Sequence, residues 1–359
     1  MRHVINKTGW IIAAVIGLLV VAALAGVARG GPLDPPGPPA STLPQVEPRA
    51  PISSLPYTIT QSGSYFVTQN LSSNGAGPAI TVQASNVTVE LDGFTLNGTQ
   101  NGWGIFEANG FDHLVVRNGT LTGWLYAIHS SGLSNSRFEE LEIRGANIAI
   151  NATGNDNVVD NVTVEGNTGN GFWLADRASV SNCRLDHTSA PSNQDYGIIA
   201  GHQSMITRCA TDGFGYGLNV GDNTQVTDCD VRNGGQRGVK LGTASSVERC
   251  LIANYTTGIE GHQSDRIVDN LIRTSSTMTG IWVQAQFLRI EGNQIIGENV
   301  TLSGTGIYFD SGASGSNVLG NRIHLTAEGV PISQGGNIND VAPLQSAAGA
   351  TSPTANIVY

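Results

Sequence analysis

A short phrase recurs in this sequence about every 22 residues. A small residue followed by an apolar one marks each repeat, and the intervals between markers are 23, 20, 24, 26, 20, 21, 20, 22, 26 and 23 residues. A period that persists over most of a chain predicts a solenoid, in which each repeat packs only against its neighbours. The markers are Gly104-Ile105, Ala127-Ile128, Asn147-Ile148, Gly171-Phe172, Gly197-Ile198, Gly217-Leu218, Gly238-Val239, Gly258-Ile259, Gly280-Ile281, Gly306-Ile307 and Gly329-Val330.

Each repeat has the composition of short strands. Alternating apolar pieces, such as residues 157–164, are separated by Gly, Asn, Asp and Ser, and no stretch after the N-terminal segment keeps a helical period. Repeats of 20–26 residues with about three strands each are the length of one coil of a parallel β-helix. The sequence therefore predicts an all-β solenoid whose coils stack at ~4.8 Å.

The four cysteines follow the same period. Cys183, Cys209, Cys229 and Cys250 are separated by 26, 20 and 21 residues, and the equivalent position one coil earlier is the apolar Val162. This spacing predicts one inward-facing stack. Parallel Cβ vectors ~4.8 Å apart are wider than the usual separation in a disulfide, so we expect free, buried thiols.

Two N-terminal phrases and the recurring Gly-Ile pairs carry a family resemblance. The phrases are ITQSGSYFVTQNL (59–71) and NVTVELDGFTLNG (86–98). Together they resemble the bacterial right-handed parallel β-helix proteins of the pectate-lyase-like superfamily, over about residues 55–359. The resemblance implies a single-stranded right-handed parallel β-helix of about 11–12 coils with N-terminal capping strands. It does not specify an activity, because this architecture carries lyases, hydrolases, epimerases and adhesins.

The N-terminal residues differ from the repeats in composition. Residues 1–30 join a basic start to an uninterrupted apolar run at 10–28, which predicts a signal peptide or a retained membrane anchor. Residues 31–54 are Pro-rich and predict an extended linker before a β-helix domain at 55–359. We therefore expect a secreted, periplasmic or cell-surface protein. The sequence does not specify its oligomeric state.

Charge and motifs exclude several classes of function. The net charge is −10, so nucleic acid is not an expected partner, and an acidic polysaccharide would need a local basic site. The sequence contains no C-x-x-C pair, P-loop or dinucleotide fingerprint, so we expect no metal or other cofactor. A Ca²⁺ ion is compatible with the fold class but has no supporting motif.

The residue after each apolar marker is expected to face solvent. Trp and Tyr on a strand surface can stack on sugar rings, and Asn, Lys and Glu can bind hydroxyls or carboxylates. We therefore predict polysaccharide binding by Trp173, Asn219, Glu260, Trp282 and Tyr308; Lys240 and Glu260 could instead simply pair across adjacent rungs. The whole column reads Phe106, His129, Ala149, Trp173, Ile199, Asn219, Lys240, Glu260, Trp282 and Tyr308.

A second column contains carboxylates and histidine. Asp176, His202 and Asp222 occupy one position on consecutive coils, which places the two carboxylates ~9.6 Å apart, near the spacing used by inverting glycosidases. Lys240 or His202 could alternatively act as the base of a β-elimination. The column could also be an exposed structural ladder. His262 joins it if the second GHQS phrase (261–264) is one residue shorter than the first (201–204).

These patterns favour an exported β-helix protein that binds a polysaccharide along its strand face. The candidate catalytic residues are Asp176, His202, Asp222 and Lys240, and the activity, if there is one, would be that of a polysaccharide lyase or a glycoside hydrolase. The alternative is a non-catalytic surface, adhesion or structural rod. Convergence of these side chains in a cleft favours the enzyme, whereas side chains in open solvent favour the rod.

Overall fold

The computed structural model describes residues 48–192, 194–274, 279–297, 304–325, 329–335, 339–346 and 354–358. The predicted leader (1–30) and most of the predicted linker (31–54) lie outside these residues and stay predictions. The described residues contain strands and turns, and none of them forms a helix able to cross a membrane.

The chain forms short strands throughout. In chain order they are β1 (Ala50–Ile52), β2 (Tyr57–Ile59), β3 (Gly63–Val67), β4 (Leu71–Ser72), β5 (Pro78–Val82), β6 (Val87–Glu90), β7 (Thr95–Asn97), β8 (Trp103–Glu107), β9 (Leu114–Thr122), β10 (Tyr126–Ser130), β11 (Arg137–Arg144), β12 (Ile148–Ala152), β13 (Val158–Asn167), β14 (Phe172–Leu174), β15 (Ser179–Ser181), β16 (Arg184–His187), β17 (Tyr196–Ala200), β18 (Met205–Thr207), β19 (Ala210–Asp212), β20 (Tyr216–Val220), β21 (Gln225–Thr227), β22 (Asp230–Arg232), β23 (Arg237–Lys240), β24 (Ser246–Glu248), β25 (Leu251–Ala253), β26 (Thr257–Gly261), β27 (Arg266–Val268), β28 (Leu271–Thr274), β29 (Thr279–Val283), β30 (Arg289–Glu291), β31 (Gln294–Gly297), β32 (Thr305–Phe309), β33 (Asn317–Leu319), β34 (Arg322–His324), β35 (Val330–Ser333), β36 (Asp340–Val341), β37 (Leu344–Ser346) and β38 (Asn356–Val358).

These strands form two sheets with parallel pairing. The 13-stranded sheet runs in the order β2-β5-β8-β10-β12-β14-β17-β20-β23-β26-β29-β32-β35, and the other strands form a 25-stranded sheet. From β14 to β34 each coil contributes one strand to the first sheet and two short strands, separated by a corner, to the second. The predicted parallel β-helix is confirmed, with about 12 turns.

The corner within the 25-stranded sheet turns at one left-handed residue per coil. Left-handed backbone is uncommon outside glycine, and Asn and Asp tolerate it best because their short side chains bond locally. Repetition of this conformation at one place fixes the coil outline. The corner residues of five successive coils, with φ between 50° and 55°, are Asn182, Arg208, Asp228, Arg249 and Asp269.

The cysteines form the predicted inward stack beside this corner. All four are free, buried and only 2–3% exposed, and Val162 occupies the same position one coil earlier. Further along the helix, asparagines take over the position and bond the amides of the preceding coil. The members of this asparagine ladder are Asn270, Asn293, Asn321 and Asn356.

We expect the native protein to resist Ellman's reagent at neutral pH and to release four titratable thiols after unfolding without reductant. A hydrogen bond with the neighbouring sulfur of Cys183, together with burial, raises the pKa of Cys209 to about 12. Since the thiolate is the reactive form, such a thiol is inert until the coil opens. Thiol titration in the presence and absence of denaturant tests this. Zero free thiols in the unfolded, unreduced protein would contradict it.

Two of the predicted repeat markers are wrong by two residues. Ile128 pairs with Ile150 and Ile307 pairs with Ile332, so the markers of those coils are Ala149-Ile150 and Pro331-Ile332. A two-residue slip preserves the inside–outside alternation, and the pattern alone therefore cannot detect it. Ala149 is therefore the small marker residue of its coil and is buried, and Asn151 takes the outward position.

The β-helix also begins earlier than the predicted boundary at residue 55. Strand β1 pairs with β3, its Ile52 is fully buried, and the compact unit starts at Arg49. The last residues assigned to the linker therefore belong to the first coil. Their prolines do not prevent this, because the first strand of a sheet has a free edge.

Candidate functional site

The outward face of the 13-stranded sheet carries a continuous column of side chains. The column contains all five residues predicted to bind substrate and also Lys240. On successive rungs it reads Thr58, Thr81, Phe106, His129, Asn151, Trp173, Ile199, Asn219, Lys240, Glu260, Trp282, Tyr308 and Ser333.

A second column on the same face was missed by the sequence analysis. It consists of the residue before each marker, which strict alternation would place inside. The marker glycine breaks the alternation: a Cβ on Gly217 would lie 2.2 Å from Val231 Cγ1, so this position faces the core and the residue before it faces out. The aromatic residues that recur directly before the marker were the sequence signal that could have revealed this column. Members of this column include Trp103, Tyr126, Ile148, Tyr196, Tyr216, Arg237, Thr257, Thr279 and Thr305.

Arg237 links the two columns. Its guanidinium forms an ion pair with the carboxylate of Glu260, and its Nη1 donates a 3.1 Å hydrogen bond to the Tyr216 hydroxyl. The guanidinium carbon lies 5.6 Å from the ring centroid of Tyr216 and 5.4 Å from that of Trp282. Such cation–π contacts strengthen when the cation is partly desolvated, as it is here. Tyr216 in turn stacks on Tyr196 at 4.8 Å between centroids.

Glu260 is held from its other side by a histidine. His262 Nε2 lies 3.2 Å from Glu260 Oε1, and the main-chain N–H of His262 donates a 2.6 Å bond to Asp265. Burial raises the pKa of Asp265 to about 6, while hydrogen bonds from His262 and Ser245 oppose that shift. We call Tyr216, Arg237, Glu260, His262 and Trp282 the Arg237 cluster.

The position of Glu260 differs from the prediction in one respect. It lies in the outward column, but its side chain is only 2% exposed, because Arg237 and His262 cover it. It pairs with these two residues and not with Lys240, so the alternative of a Lys240–Glu260 pair is not realised. Glu260 therefore orients Arg237 and His262 and has little surface to offer a ligand.

Lys240 lies one rung before Glu260 and one after Asn219. Among the described residues, no hydrogen bond or ion pair engages its ammonium group, so this cation faces the surface unneutralised. The Trp282 indole nitrogen, also on this face, is buried without an acceptor among the described residues. Arg237 and Lys240 outnumber the one carboxylate between them, so this part of an acidic chain is locally basic.

Trp173 and Tyr308 lie towards the two ends of the predicted binding stretch. Trp173 is 43% exposed, one of the few large apolar side chains so open to solvent, whereas Tyr308 is half-buried. Five rungs separate Trp173 from Trp282, a span of ~24 Å along the axis. The face therefore offers several separated ring surfaces rather than one deep pocket.

The Asp-His-Asp column exists, and its side chains bond to main-chain amides. Asp176 Oδ1 accepts from the N–H of His202 at 2.9 Å, His202 Nδ1 accepts from that of Asp222 at 2.9 Å, and Asp222 Oδ1 accepts from that of Thr243 at 2.8 Å. His202 Nδ1 also lies 3.4 Å from Asp222 Oδ2, but a nitrogen that accepts an amide hydrogen cannot donate to a carboxylate. These contacts favour the structural ladder, and a catalytic role of the three residues stays a prediction.

His262 is not a member of that column. The N–H of Ala244 bonds to the carbonyl of Gln263, as the N–H of Asn223 does to that of Thr243, so Gln263 takes the position. The two GHQS phrases are thus offset by one residue relative to their coils. As a result His202 points along the turn edge, while His262 reaches the sheet face at Glu260.

The described residues contain no group of three or more His, Cys, Asp or Glu side chains placed to hold a metal ion. Lys240 is separated from the Asp-His-Asp column, since it lies on the sheet face and they lie in the adjoining turns. The structure thus brings together Lys240, Asn219, Glu260 and Trp282 but does not gather all four predicted catalytic residues in one cleft.

No protein-family model and no curated protein sequence matches the chain. Among solved structures, a double mutant of the periplasmic alginate epimerase AlgG matches with a TM-score of 0.56 and 12% identity, over 73% of this chain and 75% of that one. The tailspike protein of E. coli bacteriophage HK620, in complex with a pentasaccharide, matches with a TM-score of 0.55 and 10% identity, over 78% and 72%. These similarities show a shared fold, the predicted right-handed parallel β-helix.

Proposed function

We propose that this protein binds a polysaccharide along the outward face of its 13-stranded sheet. The observation that carries the proposal is the pair of columns on this face, in which aromatic rings alternate with hydrogen-bonding and cationic groups around the Arg237 cluster. The solved structures of similar fold add support, since one is an alginate epimerase and the other is a tailspike protein in complex with a pentasaccharide.

The side chains suggest how a sugar chain would be held. Aromatic rings present flat apolar faces to the C–H face of a pyranose, and Asn219 can exchange hydrogen bonds with hydroxyls. The uncompensated ammonium of Lys240 would attract a uronate carboxylate, with the Arg237 guanidinium close by. The partner would then be an acidic polysaccharide, which the net charge of −10 would otherwise repel.

Bond cleavage is the finer part of the proposal. As a neutral amine, Lys240 is the candidate base for a β-elimination: it would accept the C5 proton of a uronate while the C4–O bond breaks and a C4=C5 double bond forms. It lies on the binding face next to the Arg237 guanidinium, which would neutralise the uronate carboxylate. The side chains of Asp176, His202 and Asp222 accept hydrogen bonds from main-chain amides, which favours the second candidate function, a non-catalytic binding rod.

The predicted leader, whether it is cleaved or retained as a membrane anchor, indicates a protein that is secreted, periplasmic or on the cell surface. We include this location in the proposal. The periplasmic location of the structurally similar alginate epimerase AlgG is consistent with it. Fractionation of cells that express the full chain would test it, and recovery in the cytoplasm would contradict it.

We expect the protein to bind at least one polysaccharide in a panel of neutral and uronate polymers, and Trp173→Ala to weaken that binding about threefold to tenfold by removing a stacking surface. Affinity electrophoresis or calorimetry measures the change. Met205→Ala is the matched control, because Met205 is an exposed apolar residue (49%) of the 25-stranded sheet. An equal loss in both variants, or no binding at all, contradicts the proposal.

Turnover is assayed on the same panel through reducing ends and the ultraviolet absorbance of unsaturated uronates. A lyase is expected to lose turnover in Lys240→Ala while Asp222→Asn stays active; a hydrolase built on the Asp-His-Asp column gives the reverse. Binding without either product selects the non-catalytic rod.

A further inference from the structure

Four rings gather on the sheet face four to five rungs before the Arg237 cluster begins. Trp103 and Phe106 lie 4.6 Å apart between centroids, Tyr126 and His129 lie 4.5 Å apart, and His129 stacks on Phe106 at 5.7 Å with an interplanar angle of 19°. Trp103 also approaches His129 at 5.2 Å. We call these four residues the His129 cluster. Because they point away from the core, their packing is not explained by the interior of the β-helix.

The outward positions around the His129 cluster hold no cation. The carboxylate of Glu107, which acts on His129, is 1% exposed and engaged by the Ser130 hydroxyl at 2.6 Å and the Phe111 amide at 2.7 Å. No charged residue occupies the outward positions of strands β5, β8, β10 and β12. Those positions hold Pro78, Thr81, Trp103, Phe106, Tyr126, His129, Ile148 and Asn151. The Arg237 cluster, by contrast, holds an arginine and a glutamate beside Lys240.

Two polar atoms at this place lack a partner. His129 Nδ1 and Asn151 Oδ1 are buried and have no hydrogen bond among the described residues, and their residues are paired on adjacent rungs. Asn151 as a whole is 9% exposed. An unpartnered buried polar atom is unfavourable, and a ligand hydroxyl entering between the two side chains could satisfy both. Burial lowers the pKa of His129 against the opposing charge of Glu107, which favours a neutral ring.

We propose that the His129 cluster, with Asn151, is a second subsite of the face that binds an uncharged sugar unit. The inference rests on the proposed function and narrows its substrate class. Rings without a nearby cation favour the apolar face of a neutral pyranose over a uronate, whose carboxylate would lose hydration there without a counter-charge. The polymer would then be an acidic heteropolysaccharide. One stretch would stack a neutral unit at the His129 cluster and place a uronate near Lys240, five rungs or ~24 Å away.

The test titrates the full-chain protein with neutral tetrasaccharides (maltotetraose, cellotetraose, laminaritetraose and chitotetraose) and with tetragalacturonate and tetramannuronate. At least one neutral probe is expected to bind, and Trp103→Ala and Tyr126→Ala should each weaken it about threefold to tenfold. Met205→Ala, on the 25-stranded sheet, is the control and should change neutral binding by less than about twofold. Arg237→Met should weaken uronate binding. Calorimetry gives the affinities, and circular dichroism verifies that each variant is folded.

The outcomes separate the two proposals. Uronate binding with no neutral binding overturns the second subsite and leaves the proposed function intact, as does neutral binding that both aromatic variants retain. No binding of any tetrasaccharide or polymer overturns both. If Tyr126→Ala does not fold, Tyr126→Leu keeps apolar bulk and removes only the ring, and retained neutral binding in that variant also overturns the subsite.

Discussion

Replacing Asn293 with leucine is expected to lower the free energy of unfolding by about 3–5 kcal/mol. The Asn293 Oδ1 accepts the Asn270 main-chain N–H at 3.0 Å, and its Nδ2 donates to the carbonyl of Ile267 at 2.8 Å and to Asn321 Oδ1 at 3.0 Å. Asn293 is fully buried, so water cannot replace these partners. Leucine fills a similar volume but leaves the Asn270 amide without an acceptor inside the core.

Urea unfolding followed by circular dichroism measures the loss, and hydrogen exchange locates it. Because a solenoid coil contacts only its neighbours, protection should fall first in strands β27 to β34. Cys209→Val is the matched control from the same column, because Val162 shows that valine fits the equivalent position of an earlier coil. It should change the unfolding free energy by less than about 1 kcal/mol. Similar losses in the two variants would show that packing, not hydrogen bonding, stabilises this corner.

The inward column that contains Asn293 can be predicted from the sequence only in part. The 22-residue period is enough to place the cysteines in one inward column, because stacking of coils follows from the repeat itself. It does not show that Asn270, Asn293, Asn321 and Asn356 continue the same column. Asparagine is common in the turns of every coil, and only the paired amides distinguish a buried ladder from an exposed turn. Two repeat markers were predicted two residues away from their true positions for a related reason, since a shift of two residues leaves the apolar pattern unchanged.

The residues of the candidate site were likewise predictable only in part. The outward column from Trp173 to Tyr308 follows from alternation and could be predicted. Arg237 and Tyr216 could not, because the marker glycine faces the core and reverses the direction of the residue before it. The offset between His202 and His262 could not be predicted either. The two GHQS phrases differ by one residue in their position on the coil, and this difference places His202 at the turn edge and His262 at the sheet face. Local backbone irregularity thus decides which side chains meet.

Replacing Glu260 with glutamine is expected to destabilise the fold by about 2–3 kcal/mol, because the substitution leaves a largely covered guanidinium without its counter-charge. The Arg237 side chain is 23% exposed and that of Glu260 is 2% exposed, so solvent screens this pair much less than a surface ion pair. Urea unfolding of the wild type and the variant measures the difference.

The contribution of the pair itself is isolated by a double-mutant cycle with Arg237→Met, which keeps an apolar stem against Tyr216 and Trp282 while removing the charge. If Glu260 acts chiefly by holding Arg237, the double variant should be more stable than the sum of the single losses predicts, with a coupling of about 1.5 kcal/mol or more. The exposed pair Arg249–Asp228, with side chains 54% and 44% exposed, supplies the control cycle and should show a much smaller coupling, because solvent screens it. Additive losses at Arg237 and Glu260 would mean that His262 or the aromatic rings hold the guanidinium in place. The cation of the binding face would then be positioned without the buried carboxylate.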